Sequence, residues 1–209
     1  MKIIIFGATG TIGSEIVEQA LAQGHQVTAA TRNPDSFGTK HRNLHPVEAD
    51  IFSEASVDSA IESHDAVVCA LGSSLTAKGC PRTIGTNNIV SAMEKTGVKR
   101  LVSLSAYGVS DSRADLPFMY RYFIIPVILG RVFVDHAAQE RHIKRSALDW
   151  VIVRPANFTK SPLAGTYKHG FTKPDRSLTL KITPAEVASF MLRQLSDDAY
   201  LRQTPALSH

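Results

Sequence analysis

Short apolar runs alternate along the chain with segments in which apolar residues recur at helical spacing. Residues 3–6 form a continuous run of β-branched and aromatic side chains, which is typical of a strand buried on both faces of a parallel sheet. Ile12 and Ile16 then begin a helical pattern that ends at Gly24. Repeated strand-helix units of this kind predict right-handed crossovers and a Rossmann-type, doubly wound parallel sheet, an α/β fold, in a single domain over residues 1–209.

The remaining elements follow from the same periodicities. Strands are predicted at residues 26–31, 44–49, 65–72, 100–105, 149–157 and 177–182. Helices are predicted at residues 53–61, 83–96, 135–148 and 183–195. The second of these helices places Ile84 and Met93 on its core face, and the last begins with a capping box formed by Thr183 and Glu186.

A glycine-rich turn joins the first strand to the first helix. Its sequence is Gly7-Ala8-Thr9-Gly10-Thr11-Ile12-Gly13. A pyrophosphate needs a turn without obstructing side chains and a helix N terminus whose N–H groups point at it. Gly7 would make the tight turn, Gly10 would let the backbone approach the phosphates, and Gly13 would let the helix pack closely on the strand. Thr9 and Thr11 can add hydroxyl donors. The alternative is a glycine-rich turn without a ligand.

The second predicted strand ends at Thr31-Arg32-Asn33, where a dinucleotide fold contacts the adenosine ribose. NAD sites commonly place Asp or Glu there to accept from the 2′-hydroxyl, whereas a 2′-phosphate calls for a cation. Arg32 can form charge-assisted hydrogen bonds to a phosphate and stack on adenine. We therefore predict NADP(H) as the cofactor, the alternative being an arginine in a solvated turn.

Further cofactor contacts are predicted at the carboxyl ends of the later strands, where the crevice of an open α/β sheet lies. Asp50 follows the third strand, where it can bond the adenine amino group or cap the next helix. Ser105 ends the fifth strand, where its hydroxyl can bond the carboxamide or the reacting group of a substrate, unless it merely caps the strand end. The other candidates in such positions are Ile51, Leu71, Gly72 and Pro155.

Two segments leave alternatives open. Residues 111–134, the flap segment, interrupt the alternation and hold several aromatic residues. They form an apolar flap over the active site, a contact with another subunit, or a core helix broken by Pro126, and their aromatics suit a flat ring system as substrate. His136 and Glu140 are four residues apart and share a helix face. They form either a proton-relay pair or, as we favour, a solvent-facing pair that stabilises the helix.

Composition limits the function classes further. The 209 residues carry a net charge of +4 but no run of Lys or Arg that would favour nucleic-acid binding. The most apolar stretch, residues 123–130, is too short for a bilayer, which needs about 20 helical residues. Cys69 and Cys80 form no CxxC motif, so we expect a reduced, cytoplasmic protein without a metal site. Its oligomeric state, monomer or dimer, stays open.

These motifs together resemble those of the atypical short-chain dehydrogenase/reductases. The matching segments are the glycine-rich turn and residues 31–34, 103–108 and 149–155. Within that family, the segments that look most like the B-type biliverdin reductases, which also reduce flavins, are residues 88–93, 97–98, 162–167 and 190–193. The resemblance covers nearly the whole chain. It implies a Rossmann fold that binds NADP(H), hydride transfer to flavins or open tetrapyrroles, and an active-site role for Ser105.

The sequence departs from the family pattern at two places. Ordinary short-chain dehydrogenases use a Tyr-x-x-x-Lys acid pair, but no lysine stands four positions after Tyr107, Tyr120, Tyr122 or Tyr167. Asn157 stands where the biliverdin reductases have a histidine. Alcohol oxidation is therefore not expected.

Direct hydride transfer to a flavin, quinone or bilin-like acceptor asks less of the protein, because the acceptor stabilises its own charge. The proton would come from solvent or from His136, so Ser105 and His136 are the candidate catalytic residues. The competing class is a non-catalytic NADP-sensing regulator of the NmrA type, which would keep the cofactor site and bind a partner. A sugar-nucleotide epimerase ranks last, because it needs a general acid-base pair.

Overall fold

Strands and helices alternate in the computed structural model, which describes residues 1–38, 40–72, 79–116, 118–119, 121–123, 129–161, 165–171 and 178–209. The strands are β1 (Lys2–Phe6), β2 (Gln26–Thr31), β3 (Leu44–Glu48), β4 (Ala66–Cys69), β5 (Arg100–Leu104), β6 (Asp149–Pro155), β7 (Asn157–Phe158), β8 (Lys168–His169), β9 (Lys181–Ile182) and β10 (Ala206–Ser208). The α-helices are α1 (Thr11–Ala22), α2 (Glu54–Ile61), α3 (Pro81–Thr96), α4 (Gly130–Arg145) and α5 (Pro184–Arg193).

The main sheet has the order expected of a doubly wound fold. Within the described residues it contains eight strands in the order β3-β2-β1-β4-β5-β6-β10-β8. Neighbours from β3 to β10 are parallel, and only the last pair, β10 and β8, is antiparallel. The predicted α/β fold is thus confirmed. Strand order reverses between β1 and β4, and a ligand crevice forms at such a point outside the carboxyl ends of the strands.

The two faces of the sheet carry separate parts of the core. Along β1, Ile3 and Ile5 belong to the buried cluster that includes apolar residues of α1 and α5. Ile4 and Phe6 belong to the cluster that includes residues of α2, α3 and α4. Successive strand residues point to opposite faces, so both faces of β1 are buried and its whole sequence is apolar. This burial fixes β1 in the middle of the sheet.

Several predicted boundaries shift in the structure. α3 begins at Pro81, two residues before the predicted start, because proline is favoured in the first helical turn. Ile84 is exposed, so its predicted place on the core face is wrong. Met93 is buried as predicted, and the buried face of α3 also includes Gly85 and Thr86, small and polar residues that an apolar pattern does not identify. α4 begins at Gly130, inside the flap segment.

The last helix begins as predicted. The Thr183 hydroxyl accepts from the Glu186 amide at 3.3 Å, and the Glu186 carboxylate accepts from the Thr183 amide at 3.0 Å. Of the strand predicted at 177–182, β9 holds only Lys181–Ile182, and residue 177 lies outside the described residues, as do residues 117, 120 and 124–128 of the flap segment. Among the described helices, none combines the length and apolar character needed to cross a membrane.

Candidate active site

The glycine-rich turn is held against the end of β4 by close backbone contacts. Gly7 has a φ of 83°, and a Cβ there would lie 2.4 Å from the carbonyl oxygen of Ala70. A Cβ at Gly13 would lie 2.0 Å from the carbonyl oxygen of Gly7. Both positions therefore require glycine, one for its backbone conformation and its contact with β4, the other for the close approach of α1.

The N terminus of α1 is available to an anion. Gly10 is its N-cap residue, no side chain of the described chain caps it, and the first turn contains no acidic residue. The amides of Thr11, Ile12 and Gly13 have no partner within the helix because they belong to its first turn. These N–H groups and the helix dipole give the site a partial positive charge, which suits a pyrophosphate.

A cavity of about 570 Å³ extends from this helix terminus, within the range typical of ligand pockets. The predicted site residues that line it are Gly10, Thr11, Ile12, Leu71, Gly72, Ser105, His136 and Pro155. The predicted residues outside its lining are Gly7, Thr9, Gly13, Arg32, Asp50 and Ile51. The fold therefore gathers residues from the ends of β1, β4, β5 and β6 around one space.

The residues that follow β2 and β3 lie on the other side of β1. Arg32 is exposed after β2. Asp50 does not cap α2, because Ser53 is the N-cap residue, so that alternative is wrong. The Asp50 carboxylate instead accepts from the Phe52 amide at 3.0 Å. Ile51 packs against α3, where its carbonyl accepts from the Asn88 side chain at 2.8 Å.

Ser105 lies at the cavity wall with its hydroxyl committed to a buried carboxylate. Its side chain donates to Glu140 Oε1 at 2.8 Å, and the residue is 3% exposed. The backbone amide of Ser105 continues the sheet by donating to Val153 at 2.8 Å. The hydroxyl hydrogen is thus used inside the protein, and the oxygen is left as an acceptor.

Glu140 is part of a buried charge cluster that the sequence analysis did not foresee. Arg154 donates to Glu140 Oε1 from Nε at 2.9 Å and to Oε2 from a terminal nitrogen at 2.6 Å. Both residues are almost completely buried. Arg154 also pairs with Asp111 at 2.8 Å, and Lys144 lies 3.5 Å from Glu140 Oε2. Burial alone would raise the pKa of Glu140, but Arg154 and Ser105 outweigh it and the pKa is lowered. Glu140 is therefore ionised at neutral pH.

His136 is buried, so the favoured interpretation of a solvent-facing pair with Glu140 is wrong. It is 6% exposed, and its Nδ1 lies 3.2 Å from Gln139 Oε1. In the described part of the chain no hydrogen bond joins it to Glu140, so the two do not form a direct relay. Burial, and secondarily the charge of Arg82, lower the pKa of His136 to about 4. The imidazole is therefore neutral at pH 7.

Two further residues of the cavity wall were not among the predicted site residues. Arg82 lines the cavity and lies 3.8 Å from Asp135, whose carboxylate also accepts from the amide of Thr83 at 2.9 Å. Tyr107 has a buried hydroxyl that finds no partner among the described residues. Burial, with a smaller contribution from Asp115, raises the pKa of Tyr107 to about 12. Tyr107 is therefore neutral and poorly suited to act as a base.

A family model described as NAD(P)H-binding matches residues 7–198. The photosystem II assembly factor of Synechocystis is 24% identical over 215 aligned positions, which cover 98% of this chain and 61% of that protein. The chain spans about three-fifths of the length of the leading curated relatives that it matches.

Solved structures share the fold over nearly the whole chain. A short-chain dehydrogenase/reductase of Veillonella parvula in complex with NADP has a TM-score of 0.83 and 14% identity, with 100% of this chain and 94% of that chain covered. The anaerobilin reductase of Escherichia coli has a TM-score of 0.81 and 19% identity, with 99% and 96% covered. At these identities the likeness establishes the fold alone.

Proposed function

Because this chain belongs to the NAD(P)H-binding family, we propose that it is an NADPH-dependent reductase that passes hydride to a flat conjugated acceptor such as a flavin, a quinone or a bilin. The observation that carries this proposal is the cavity that joins the uncapped N terminus of α1 to Ser105. Its wall also contains Leu116, Leu129 and Phe133, apolar side chains against which a flat ring can pack.

The residues present fit a dinucleotide at the glycine-rich turn. The amides of Thr11, Ile12 and Gly13 would hold its pyrophosphate, since they face no competing carboxylate from the first turn of α1. Arg32, exposed at the end of β2, would bind a 2′-phosphate by charge-assisted hydrogen bonds. This cation is the reason to propose NADP(H) over NAD(H).

The side chains of the cavity favour reduction of a conjugated acceptor over alcohol oxidation. Residue 111 is Asp, so Tyr107 lacks the lysine of the usual acid pair, and its raised pKa keeps the hydroxyl protonated at neutral pH, where it cannot take the proton of an alcohol. NADPH, when bound, supplies the hydride. Holding the two reactants in contact can provide about 7–11 kcal/mol of the barrier. This chain's part is then to exclude water and orient the rings, with Ser105 as a hydrogen-bond acceptor at the cavity wall.

The proposal is tested by NADPH oxidation with purified protein and FMN, riboflavin, biliverdin or simple quinones. We expect saturable turnover with at least one acceptor and a lower rate in Ser105→Ala. Ser91→Ala is the matched control, because Ser91 lies in α3 outside the cavity lining. No turnover above background with any acceptor, under conditions where NADPH binds, would contradict the reductase proposal.

A regulator is the second candidate, and one observation favours it. Three aromatic residues are exposed in the flap segment: Phe118, Tyr122 and Phe123. The ring centroid of Phe118 lies 4.8 Å from that of Tyr122 and 6.1 Å from that of Phe123. Exposed aromatics of this kind suit a protein partner. Tight NADPH binding without turnover would support this candidate. Both cysteines are free, which fits the cytoplasmic location that we keep as part of either proposal.

A further inference from the structure

On its buried side, the imidazole of His136 contacts the amide side chain of Gln139. Gln139 is fully buried, and its Oε1 lies 3.2 Å from His136 Nδ1. Its Nε2 donates to the hydroxyls of Thr86 at 3.2 Å and Ser103 at 3.3 Å, with the sulfur of Cys69 at 3.8 Å. The imidazole therefore meets the oxygen end of an amide whose nitrogen end is engaged elsewhere.

The orientation of this amide follows from counting buried donors. As it stands, both Nε2 hydrogens of Gln139 have oxygen acceptors, Thr86 and Ser103. Turned around, the nitrogen would face His136 Nδ1, which can accept one hydrogen, and Thr86 and Ser103 would lose the two hydrogens that they now accept. Buried donors are almost always satisfied, so the first orientation is the stable one.

We infer that Gln139 is a positioning residue that fixes His136 as the Nδ1–H tautomer. The Nε2 atom then presents a hydrogen-bond acceptor to the cavity, where it binds an N–H or O–H donor of the ligand. The imidazole lines the cavity, and Nε2 has no partner among the described residues. Its lowered pKa keeps the ring neutral in the presence of Arg82 on α3 and of Asp135 and Glu140 on α4. The part that concerns the ligand rests on the proposed function.

This assignment changes the expected chemistry of the cavity. A neutral imidazole with its hydrogen on Nδ1 has only a lone pair to offer at Nε2, so His136 does not deliver the proton that accompanies the hydride. Ser105 is likewise left with an acceptor oxygen, because its hydrogen bonds Glu140. The ligand donor that His136 Nε2 would accept from is either the carboxamide of the cofactor or an N–H of the acceptor molecule.

The tautomer can be measured in the free protein, independently of activity. In ¹⁵N-histidine-labelled protein at neutral pH, we expect the His136 ring to show a protonated Nδ1 and an unprotonated Nε2, with its signals assigned by their loss in His136→Phe. Gln139→Met removes the oxygen at nearly constant shape, and we expect the Nε2–H tautomer to become the major form. Cys69→Ala perturbs the same cluster but leaves both hydroxyl acceptors of the Gln139 nitrogen, Thr86 and Ser103, in place, so it should keep the wild-type tautomer.

Two results would overturn the inference about Gln139. One is a wild-type His136 that carries its hydrogen on Nε2. The other is a Gln139→Met protein whose tautomer matches that of Cys69→Ala, because Gln139 would then contribute packing alone. Neither result depends on turnover, so neither bears on whether the protein is a reductase.

Binding measurements identify the ligand donor. Lumiflavin, whose only N–H is at N3, is compared with 3-methyllumiflavin, and NADP⁺ with its 3-acetylpyridine analogue, in which a methyl group replaces the amide nitrogen. We expect the donor-free member of one pair to bind roughly tenfold more weakly to the wild type, and the ratio to approach one in His136→Phe. The flavin pair assigns the donor to the acceptor molecule, and the nucleotide pair assigns it to the cofactor.

The two proposals fail in different ways. Equal binding within both pairs would overturn the proposal that His136 accepts a hydrogen bond from the ligand, whatever the turnover. Discrimination in binding without turnover of any of the flavin, quinone or bilin acceptors would support that role and contradict the reductase proposal.

Discussion

Replacing Glu140 by Gln tests whether the buried charge cluster stabilises the fold behind the cavity. The substitution keeps the shape of the side chain, and its oxygen can still accept from Ser105. Its nitrogen, however, takes the place of Oε2, which accepts from Arg154 at 2.6 Å and from Ser110 at 3.2 Å. The new amide nitrogen and the guanidinium of Arg154 are both donors and then face each other, and Arg154 is only 2% exposed.

The expected loss follows from this burial. Removing one partner of a buried ion pair typically costs about 3–5 kcal/mol, because the remaining charge stays out of water. For a chain of this length, each kcal/mol lowers Tm by about 2–4 °C, so the Tm should fall by about 6–20 °C. Asp111 contacts the same arginine, but its side chain is 73% exposed. Asp111→Asn should therefore cost no more than about 1 kcal/mol.

Equilibrium unfolding in urea, followed by the fluorescence of Trp150, measures these differences. Trp150 is the only tryptophan, and it is buried in β6 four residues before Arg154. The double variant Glu140→Gln/Arg154→Met should lose less stability than the sum of its single variants, because it leaves neither charge uncompensated. A loss below about 1 kcal/mol in Glu140→Gln, or an equal loss in Asp111→Asn, would refute this account of the cluster.

The same pair predicts a pH dependence with a definite sign. The pKa of Glu140 is lowered in the folded protein, so its charge adds stability that is fully present above the ordinary value of 4.5. That contribution is lost as the pH falls through the lowered pKa. The stability difference between the wild type and Glu140→Gln should therefore be constant from neutral pH to about 5 and decrease in more acidic solution. A difference that grows on acidification would contradict it.

Three shorter predictions concern the cofactor, the turn and the last helix. Arg32→Ala should weaken NADPH binding while leaving NADH binding unchanged, and an unaltered preference between the two would exclude a 2′-phosphate contact. Gly13→Ala should cost at least about 1–3 kcal/mol in urea unfolding and weaken NADPH binding, since its Cβ would lie 2.0 Å from a backbone carbonyl oxygen. Gly38→Ala, whose Cβ meets no atom within 4 Å, should unfold like the wild type, and equal stabilities of the two glycine variants would contradict the close approach. Thr183→Ala removes the capping box of α5 and should cost about 0.5–2 kcal/mol in thermal unfolding. Thr166→Ala, at an exposed position outside any helix or strand, is the matched comparison, and equal losses in these two variants would argue against a role for the cap.

Much of the fold could be predicted because it depends on local patterns. The apolar run of β1 gives a strand buried on both faces, and Thr183 with Glu186 marks the start of α5. Boundaries were less accurate where polar or small residues occupy buried positions. On α3, Met93 is buried as predicted, but Gly85 and Thr86 also face the core and Ile84 does not, so hydrophobicity alone misplaces Ile84.

The candidate site could be predicted only as far as it depends on strand ends. Parallel strands bring their carboxyl ends to one edge, which is why Gly10, Leu71 and Ser105 line the same cavity. The charge cluster could not be predicted in this way. Glu140 meets Arg154 across 14 residues and Ser105 across 35, and nothing in the local sequence indicates which buried acid pairs with which base.

The polar groups of the cavity differ in kind from one end to the other. At the turn, the first amides of α1 offer hydrogens and no competing carboxylate, which suits an anion. At the wall formed by β5 and α4, Ser105 bonds its hydrogen to Glu140 and, on our inference, His136 bonds its own to Gln139, so both offer lone pairs. A ligand that fits both ends carries negative charge at one end and N–H or O–H donors at the other. A carboxylate placed directly against Ser105 and His136 would face these two acceptors, with the ionised Glu140 directly behind Ser105, and should bind there more weakly than the corresponding amide.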